Sequence, residues 1–463
     1  MLYTSAETDW LGSRPIFYNE KTLKISDNIN EVIDFSDLEF HPEGFNNYLR
    51  YGYTVFGQTI VKNVKALRYS SSIRKENNQL IIDEKEDPVK QLYRKGYLKG
   101  NEVIELIIES IKQWENQKDA PVLLPLSGGN DSKLLAFSLK NYKDVYAYSY
   151  GYSRKQYDFF EVVKAQKVAD YCGIEWKHIP IGDFHNKKYY SEWNDIFGVS
   201  VHSHGEYQME FYDSILKRNP LLKGGRVLSG IIGDAWAGNV RCKEVETPRE
   251  LVKLGYTHGM CADENISLLK DDRSLEEQFY KEHKEELKEE NWRIIYAMRF
   301  KIMLLSYLCI VPEKRGFDVW SPFLDMNIAM DMVNLSWEEK KERKWQTDFF
   351  EKYDLEYGWL KKECDYNSNV NYLALRRNPL EPLDVDLLKR YVKKEYIEYI
   401  NRILGKKPIQ KCAAKPRTIK NIYNKVINYY DRQFWTAEYK GYRILKPIEY
   451  LLKKQEAIQF DRM

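Results

Sequence analysis

The 463 residues carry 72 lysines and arginines against 69 acids, a formal net charge of +3, with 43% apolar and 30% charged residues. That balance shows no electrostatic signature of a nucleic-acid binder and is ordinary for a globular chain with room for two or three domains. No apolar run approaches the ~20 residues of a membrane span, and the N-terminal "MLYTSAETDWLGSRPIFYNEK" has no apolar core of the kind a secretory signal needs. Six widely spaced cysteines, with no C-x-x-C, fit neither a disulfide framework nor a zinc site. A cytoplasmic chain with free thiols is expected.

Residues 1–88 read as short β-like runs, "RPIFYN", "YTVFGQTIV" and "QLIIDE", separated by polar turns. Near Asp87 the texture changes. Helical spacing then puts Val103, Leu106, Ile107, Ile111 and Trp114 on one face. From Pro121 strands and helices alternate. "PVLLPLS" reads as a strand and "DSKLLAFSLKN" as a helix. "VYAYSYG" is a second strand, followed by the helix "YDFFEVVKAQKVADYCG". "EWKHIPI" and "GRVLSG" are further strands. This alternation predicts an α/β fold, a parallel sheet with helices on both faces, whose ligands bind beyond the carboxyl ends of the strands. A β-rich segment (1–88) precedes this unit (89–370), and a helical, basic region (371–463) follows it.

The stretch "LLPLSGGNDSKLL", Leu123 to Leu135, stops a strand at a serine, two glycines, an asparagine and an aspartate before a helix begins. That geometry cradles phosphate with backbone N–H groups. Ser127 and Ser132 have hydroxyls to donate to phosphate oxygens. Asp131 among phosphates is repulsive unless a cation such as Mg²⁺ lies between them; its plainer reading is a helix N-cap. Lys133 reads equally as a phosphate contact or a solvent-facing side chain. His202 and His204, in "VHSHGEYQ", read as pocket-facing or as ordinary polar contacts.

S-G-G-x-D-S between a strand and a helix resembles the signature of the PP-loop ATP pyrophosphatases. Within them the chain resembles the asparagine synthetase-like enzymes. The helix ending "VADYCG", "VLSGIIGDAWAG" (their L-S-G-E-G-x-D-E) and "SPFLD" at Ser321–Asp325 carry the similarity, with "RPIFY" and "HPEGFNNYLRYGYTVFGQTIVKNVKAL" in the N-terminal segment. The resemblance implies an adenine nucleotide α-hydrolase-like fold and ATP and Mg²⁺ as cofactors. It implies pyrophosphate and nucleotide contacts from Leu126, Ser127, Gly128, Gly129, Asn130, Asp131, Ser132, Ser149, Ser229 and Gly230. Asp131 and Asp234 would be the metal ligands. Lys361 or Lys362, in "WLKKECDYN", would stabilise adenylation.

Three departures stand out. No cysteine precedes Cys172, so the glutaminase nucleophile of the family has no counterpart. Ile231 and Ala235 replace two family glutamates, leaving Glu206 and His204 as candidates for proton transfer, or a chain without activity. Trp320 stands where relatives carry a pocket arginine; it reads either as a flat apolar pocket wall or as core filler. Between Ile400 and Tyr430 there is no acid, and eight lysines and arginines from Arg402 to Lys425 form either a solvated face or a dock for an anion.

The reading is an ATP-dependent amide ligase that adenylates a carboxylate and passes it to ammonia or another amine. Free aspartate is disfavoured. A sugar acid in surface-polysaccharide synthesis leads, peptide tailoring follows, and a catalytically weak nucleotide-binding protein is the contrasting class. The expected partners are a carboxylate small molecule or glycan, an amine donor and a separate ammonia-supplying protein, with no nucleic acid. A homo-oligomer is compatible with the sequence.

Overall fold

The computed structural model describes residues 2–93, 98–140, 142–255, 261–355, 364–365, 370–405 and 437–460. The N-terminal segment holds β1 (Ser5–Glu7), β2 (Phe17–Asn19), β3 (Ile25–Ser26), β4 (Val64–Ala66), β5 (Ser71–Glu76) and β6 (Gln79–Glu84). They form two antiparallel three-stranded sheets, ordered β1-β5-β6 and β3-β2-β4. The run "YTVFGQTIV" is not a strand. Phe56 and Gly57 both take positive φ, 53° and 72°, which turns the chain and leaves only isolated bridges such as Val55 to Gln58.

Helix α1 (Gly100–Glu115) buries Val103, Ile104, Ile107, Ile111 and Trp114. Leu106 lies outside that face and is 44% exposed; Ile104 takes its place, as a 100° step per residue requires. The central sheet follows: β7 (Val122–Pro125), β8 (Val145–Ser149), β9 (Glu175–His178), β10 (Arg226–Leu228) and β11 (Asp318–Trp320). All neighbours are parallel, in the order β11-β10-β7-β8-β9. Val122, Leu123 and Leu124 are almost fully buried, as expected of a strand covered on both faces. Strand β11, which the sequence reading did not anticipate, pairs Val319 with Val227 and Trp320 with Leu228.

The chain runs from β7 outward through β8 to β9, then returns to the other side of β7 to lay down β10 and β11. The order therefore reverses between β7 and β10. That switch point, beyond the carboxyl ends of the strands, is where a crevice opens in such sheets.

One helical stretch, Glu290–Lys314, has the length and apolar content of a membrane span, with a mean hydropathy of 1.8 over its most apolar 18 residues. Most of that window, 72%, is buried inside the protein, so it is a core element. The core around the sheet also takes in Trp10, Leu11, Tyr51, Tyr53 and Val55 from the N-terminal segment. Arg299 ties the two together: it donates to both carboxylate oxygens of Asp87, at 2.6 and 2.8 Å, and stacks over Tyr69. A second core joins Phe45, Tyr48 and Leu49 to Ile397, Ile400, Leu445 and Ile448 near the C-terminus.

Candidate functional site

The loop after β7 leads into α2 (Asn130–Ser138), whose N-cap is Gly129. Its two serines clip it shut. The Ser132 hydroxyl donates to the Ser127 carbonyl at 2.8 Å and accepts from the Ser127 N–H at 3.2 Å, and the two hydroxyls lie 2.9 Å apart. Neither glycine uses left-handed backbone; Gly129 has φ −79°. Gly128 is needed for packing instead. A Cβ there would stand 2.6 Å from the Cβ of Lys164 and 3.1 Å from the Cα of Glu161, both on α3 (Phe160–Cys172).

Asp131 does not cap the helix. Its carboxylate accepts from Gln346 Nε2 at 3.2 Å and faces the Arg343 guanidinium at 3.4 Å. Burial pushes its pKa up to about 6; nearby Asp234 adds to the rise, and Arg343 and Gln346 oppose it. Asp234 lies in the first turn of the short helix Gly233–Trp236, after β10. Gly233 allows the approach of the two segments, since a Cβ there would meet the Asp131 Cγ at 2.9 Å. Ile232, just before it, holds φ 57°, a left-handed conformation costing a β-branched residue about 1–2 kcal/mol. Such strain collects at functional sites.

These segments enclose a cleft of about 410 Å³. Leu126, Ser127, Gly129, Asp131, Ser132, Ser149, Ser229, Gly230 and Asp234 line it, so most of the residues singled out in the sequence converge. Ser149 lines it with a hydroxyl already engaged, donating to the Leu126 carbonyl at 2.5 Å and accepting from Trp176 Nε1 at 2.9 Å. Gly128 and Asn130 belong to the same loop but do not line the cleft. Ile231 and Ala235 line it as well.

Other readings are corrected. Lys133 faces neither solvent nor the cleft: it is buried, donates to the Leu355 carbonyl at 3.0 Å and sits 4.0 Å from the Phe350 ring centroid. Trp320 is not among the cleft residues; it stacks on Trp114 with ring centroids 5.3 Å apart. Glu206 is fully buried and accepts from Arg443 at 2.5 Å. His202 and His204 are buried against one another; the first has its Nδ1 2.8 Å from the Gly52 carbonyl. None of these three reaches the cleft. Lys361, Lys362 and the basic run from Lys406 to Lys425 lie outside the described residues. Cys172, Cys242 and Cys309 are free and buried, while Cys261 and Cys364 are free and half-buried.

The sequence reading missed Arg343 and Gln346, which contact Asp131 without lining the cleft, and several residues that do line it. Arg343 and Gln346 reach Asp131 from more than 200 residues away, where no local signal exists. Lys301, on α4 (Glu290–Leu305), lines the cleft; burial pulls its pKa down, and Cys242 and Asp234 counter that pull. Glu161 is on the wall of the cleft; burial pushes its pKa up, against Lys164. Tyr150, Tyr152 and Gln208 complete that wall, with Gln208 donating to the Tyr150 hydroxyl at 3.0 Å. A larger cavity, about 550 Å³ between the N-terminal sheets and α4, contains none of the candidate residues.

The site is thus a clipped serine–glycine loop at the switch point of a five-stranded parallel sheet. Residues 102–190, which include that loop, match the family model described as asparagine synthase. Over that segment the chain is asparagine synthase-like. No curated protein matches it. Among solved structures it is similar to an NH3-dependent NAD synthetase from Campylobacter jejuni subsp. jejuni NCTC 11168 in complex with the nitrate ion. That match has 16% identity over 46% of this chain and 97% of the other, with a TM-score of 0.26.

Proposed function

We propose that the chain is an AMP-forming carboxylate–amine ligase. The supporting observation is the convergence, in one cleft, of the Ser127–Ser132 loop with two carboxylates from separate strand ends, Asp131 and Asp234. In this reading the loop serines and backbone hold the pyrophosphate portion of ATP. Leu126, Ser149, Ser229 and Gly230 line the nucleoside. The pair Asp131 and Asp234 suits a divalent cation: each is a hard oxygen donor, and the Asp234 charge disfavours that of Asp131. Mg²⁺ bound there would neutralise phosphate charge as the carboxylate attacks the α-phosphorus and pyrophosphate leaves. An amine then attacks the acyl carbon and AMP departs. Lys361 or Lys362 is the candidate for stabilising the first step. The units of the chain in this reading are 1–88, 89–370 and 371–463.

Among the described residues no arginine lines the cleft, whereas tyrosine hydroxyls and Gln208 do. That favours an acid with a hydroxyl-rich, uncharged body, a sugar acid of surface-polysaccharide synthesis, over free aspartate; peptide tailoring is the next choice. A screen of carboxylates with Mg·ATP and ammonia tests the reading by AMP and pyrophosphate release. Within these 463 residues no cysteine precedes Cys172. Glutamine is therefore expected to form no amide with the purified chain unless a separate ammonia-supplying protein is added; glutamine-dependent product from the chain alone overturns that part.

One observation favours a second reading. Ile231 and Ala235 put two apolar side chains into the cleft where relatives carry glutamates. A nucleotide-binding protein without turnover would bind Mg·ATP and release no AMP with any acid.

A further inference from the structure

Glu161 is a carboxylate without an assignment. It sits in the first turn of α3, half-buried, and lines the same cleft as Asp131 and Asp234. Among the described residues its carboxylate has no hydrogen bond or ion pair, and Lys164 is the one opposing charge in its surroundings. Its helix closes directly on the phosphate loop, the Glu161 Cα being one methyl contact from Gly128. The hydroxyls of Tyr150 and Tyr152, on the same wall, are pushed up by burial and also by the Glu161 charge. A half-buried carboxylate on a cleft wall with no protein partner is available to accept from a bound molecule.

What can donate is limited by position. Phosphate cannot face a bare carboxylate without a metal, and the two carboxylates proposed to hold one are Asp131 and Asp234. An uncharged donor next to the phosphates is required. In ATP the group nearest the phosphates that carries such donors is the ribose, whose vicinal hydroxyls match the two oxygens of one carboxylate.

We propose that Glu161 binds the ribose of ATP, accepting hydrogen bonds from its 2′ and 3′ hydroxyls against the wall formed by Tyr150 and Tyr152. The assignment rests on the ATP-binding reading above and requires no knowledge of the acid substrate. Hydrogen bonds to a charged acceptor contribute about 1.5–3 kcal/mol, so their loss is worth roughly tenfold or more in affinity.

The experiment measures binding of Mg²⁺ with ATP, 2′,3′-dideoxy-ATP and ITP to the wild-type chain and to Glu161→Gln and Glu161→Ala. Wild type is expected to bind dideoxy-ATP at least about tenfold more weakly than ATP. The variants are expected to lose that difference while binding dideoxy-ATP as wild type does, a double-mutant cycle on the diol. Equal loss for ATP and dideoxy-ATP makes Glu161 a structural residue and overturns the inference, as does ATP affinity unchanged in both variants. Loss of the ATP-over-ITP preference with the diol preference kept assigns Glu161 to the base and also overturns it. Absence of ATP binding in the folded wild type overturns the ATP-binding reading itself, and the ribose assignment with it.

Discussion

Asp131 is both a proposed cation ligand and a buried titratable group. Its pKa is pushed up to about 6, above the ordinary carboxylate range, because burial penalises its charge. The folded protein therefore prefers it protonated. Below about pH 4 the group is neutral folded or unfolded and costs nothing. As pH rises through 4 to 6 the unfolded chain ionises first and stability falls, by roughly 1–3 kcal/mol in full. Asp131→Asn should accordingly raise the melting temperature at pH 7.5 and leave it unchanged near pH 4. The same change should cut AMP formation about 10²-fold or more, since cation-mediated neutralisation of phosphate is lost. Mg·ATP affinity of the wild type should fall as pH drops through about 6. Near-wild-type turnover in Asp131→Asn would remove this residue from the chemistry.

Lys133 provides the contrast two positions on. Its ammonium is spent on the Leu355 carbonyl and the Phe350 ring. Lys133→Met should destabilise the fold by about 1–3 kcal/mol, because a buried carbonyl loses its donor, and leave Mg·ATP affinity within twofold of wild type. Denaturant unfolding and a nucleotide titration separate the two effects; a tenfold loss of affinity at constant stability would restore the phosphate role.

At the scale of elements, the part of the site that local pattern encodes is the part the sequence made legible. An apolar strand, a serine–glycine turn and an apolar-periodic helix are contiguous, and so are β10 and the Asp234 segment after it. Strand β11 was not read, because three residues with an exposed aspartate carry little pattern. Residues 53–61 were misread because β-branched and aromatic residues there fill a buried turn, whose carbonyls are satisfied by Gln58 and Thr59 side chains. Gly128 shows how two elements share one residue. Gly128→Ala adds a methyl group 2.6 Å from the Lys164 Cβ, so α3 must move away from the phosphate loop. Overpacking of this kind costs about 1–3 kcal/mol. Because α3 carries Glu161, ATP affinity should fall along with stability; Gly129→Ala, whose nearest contact would be the Ser127 hydroxyl at 3.4 Å, should be milder in both respects. Equal effects of the two alanines would separate the loop from the helix.

Across the whole molecule, distant segments are held by buried charge. Arg443, on the helix Ala437–Phe460, donates to Glu206 at 2.5 Å and to the Tyr190 hydroxyl at 2.9 Å, with its Nε on the Ser203 carbonyl; both charged side chains are almost fully buried. The C-terminal helix is thereby fixed to the layer that backs the tyrosine wall of the cleft, since Glu206 opens the helix Glu206–Arg218 that also supplies Gln208. Two charges removed from water are retained only as a pair. Glu206→Leu leaves a guanidinium without its counter-ion and should cost about 3–5 kcal/mol, whereas Glu206→Leu with Arg443→Met should recover most of that loss. If Glu206 served proton transfer instead, as its nearness in sequence to the Ile231 segment first suggested, the double variant would be stable and inactive. With the ion pair as its role, the double variant should keep its Mg·ATP affinity and, with the acid that the carboxylate screen identifies, its amide-forming rate. Urea unfolding together with the amide-forming rate of the three proteins, wild type, single and double, decides between the two roles.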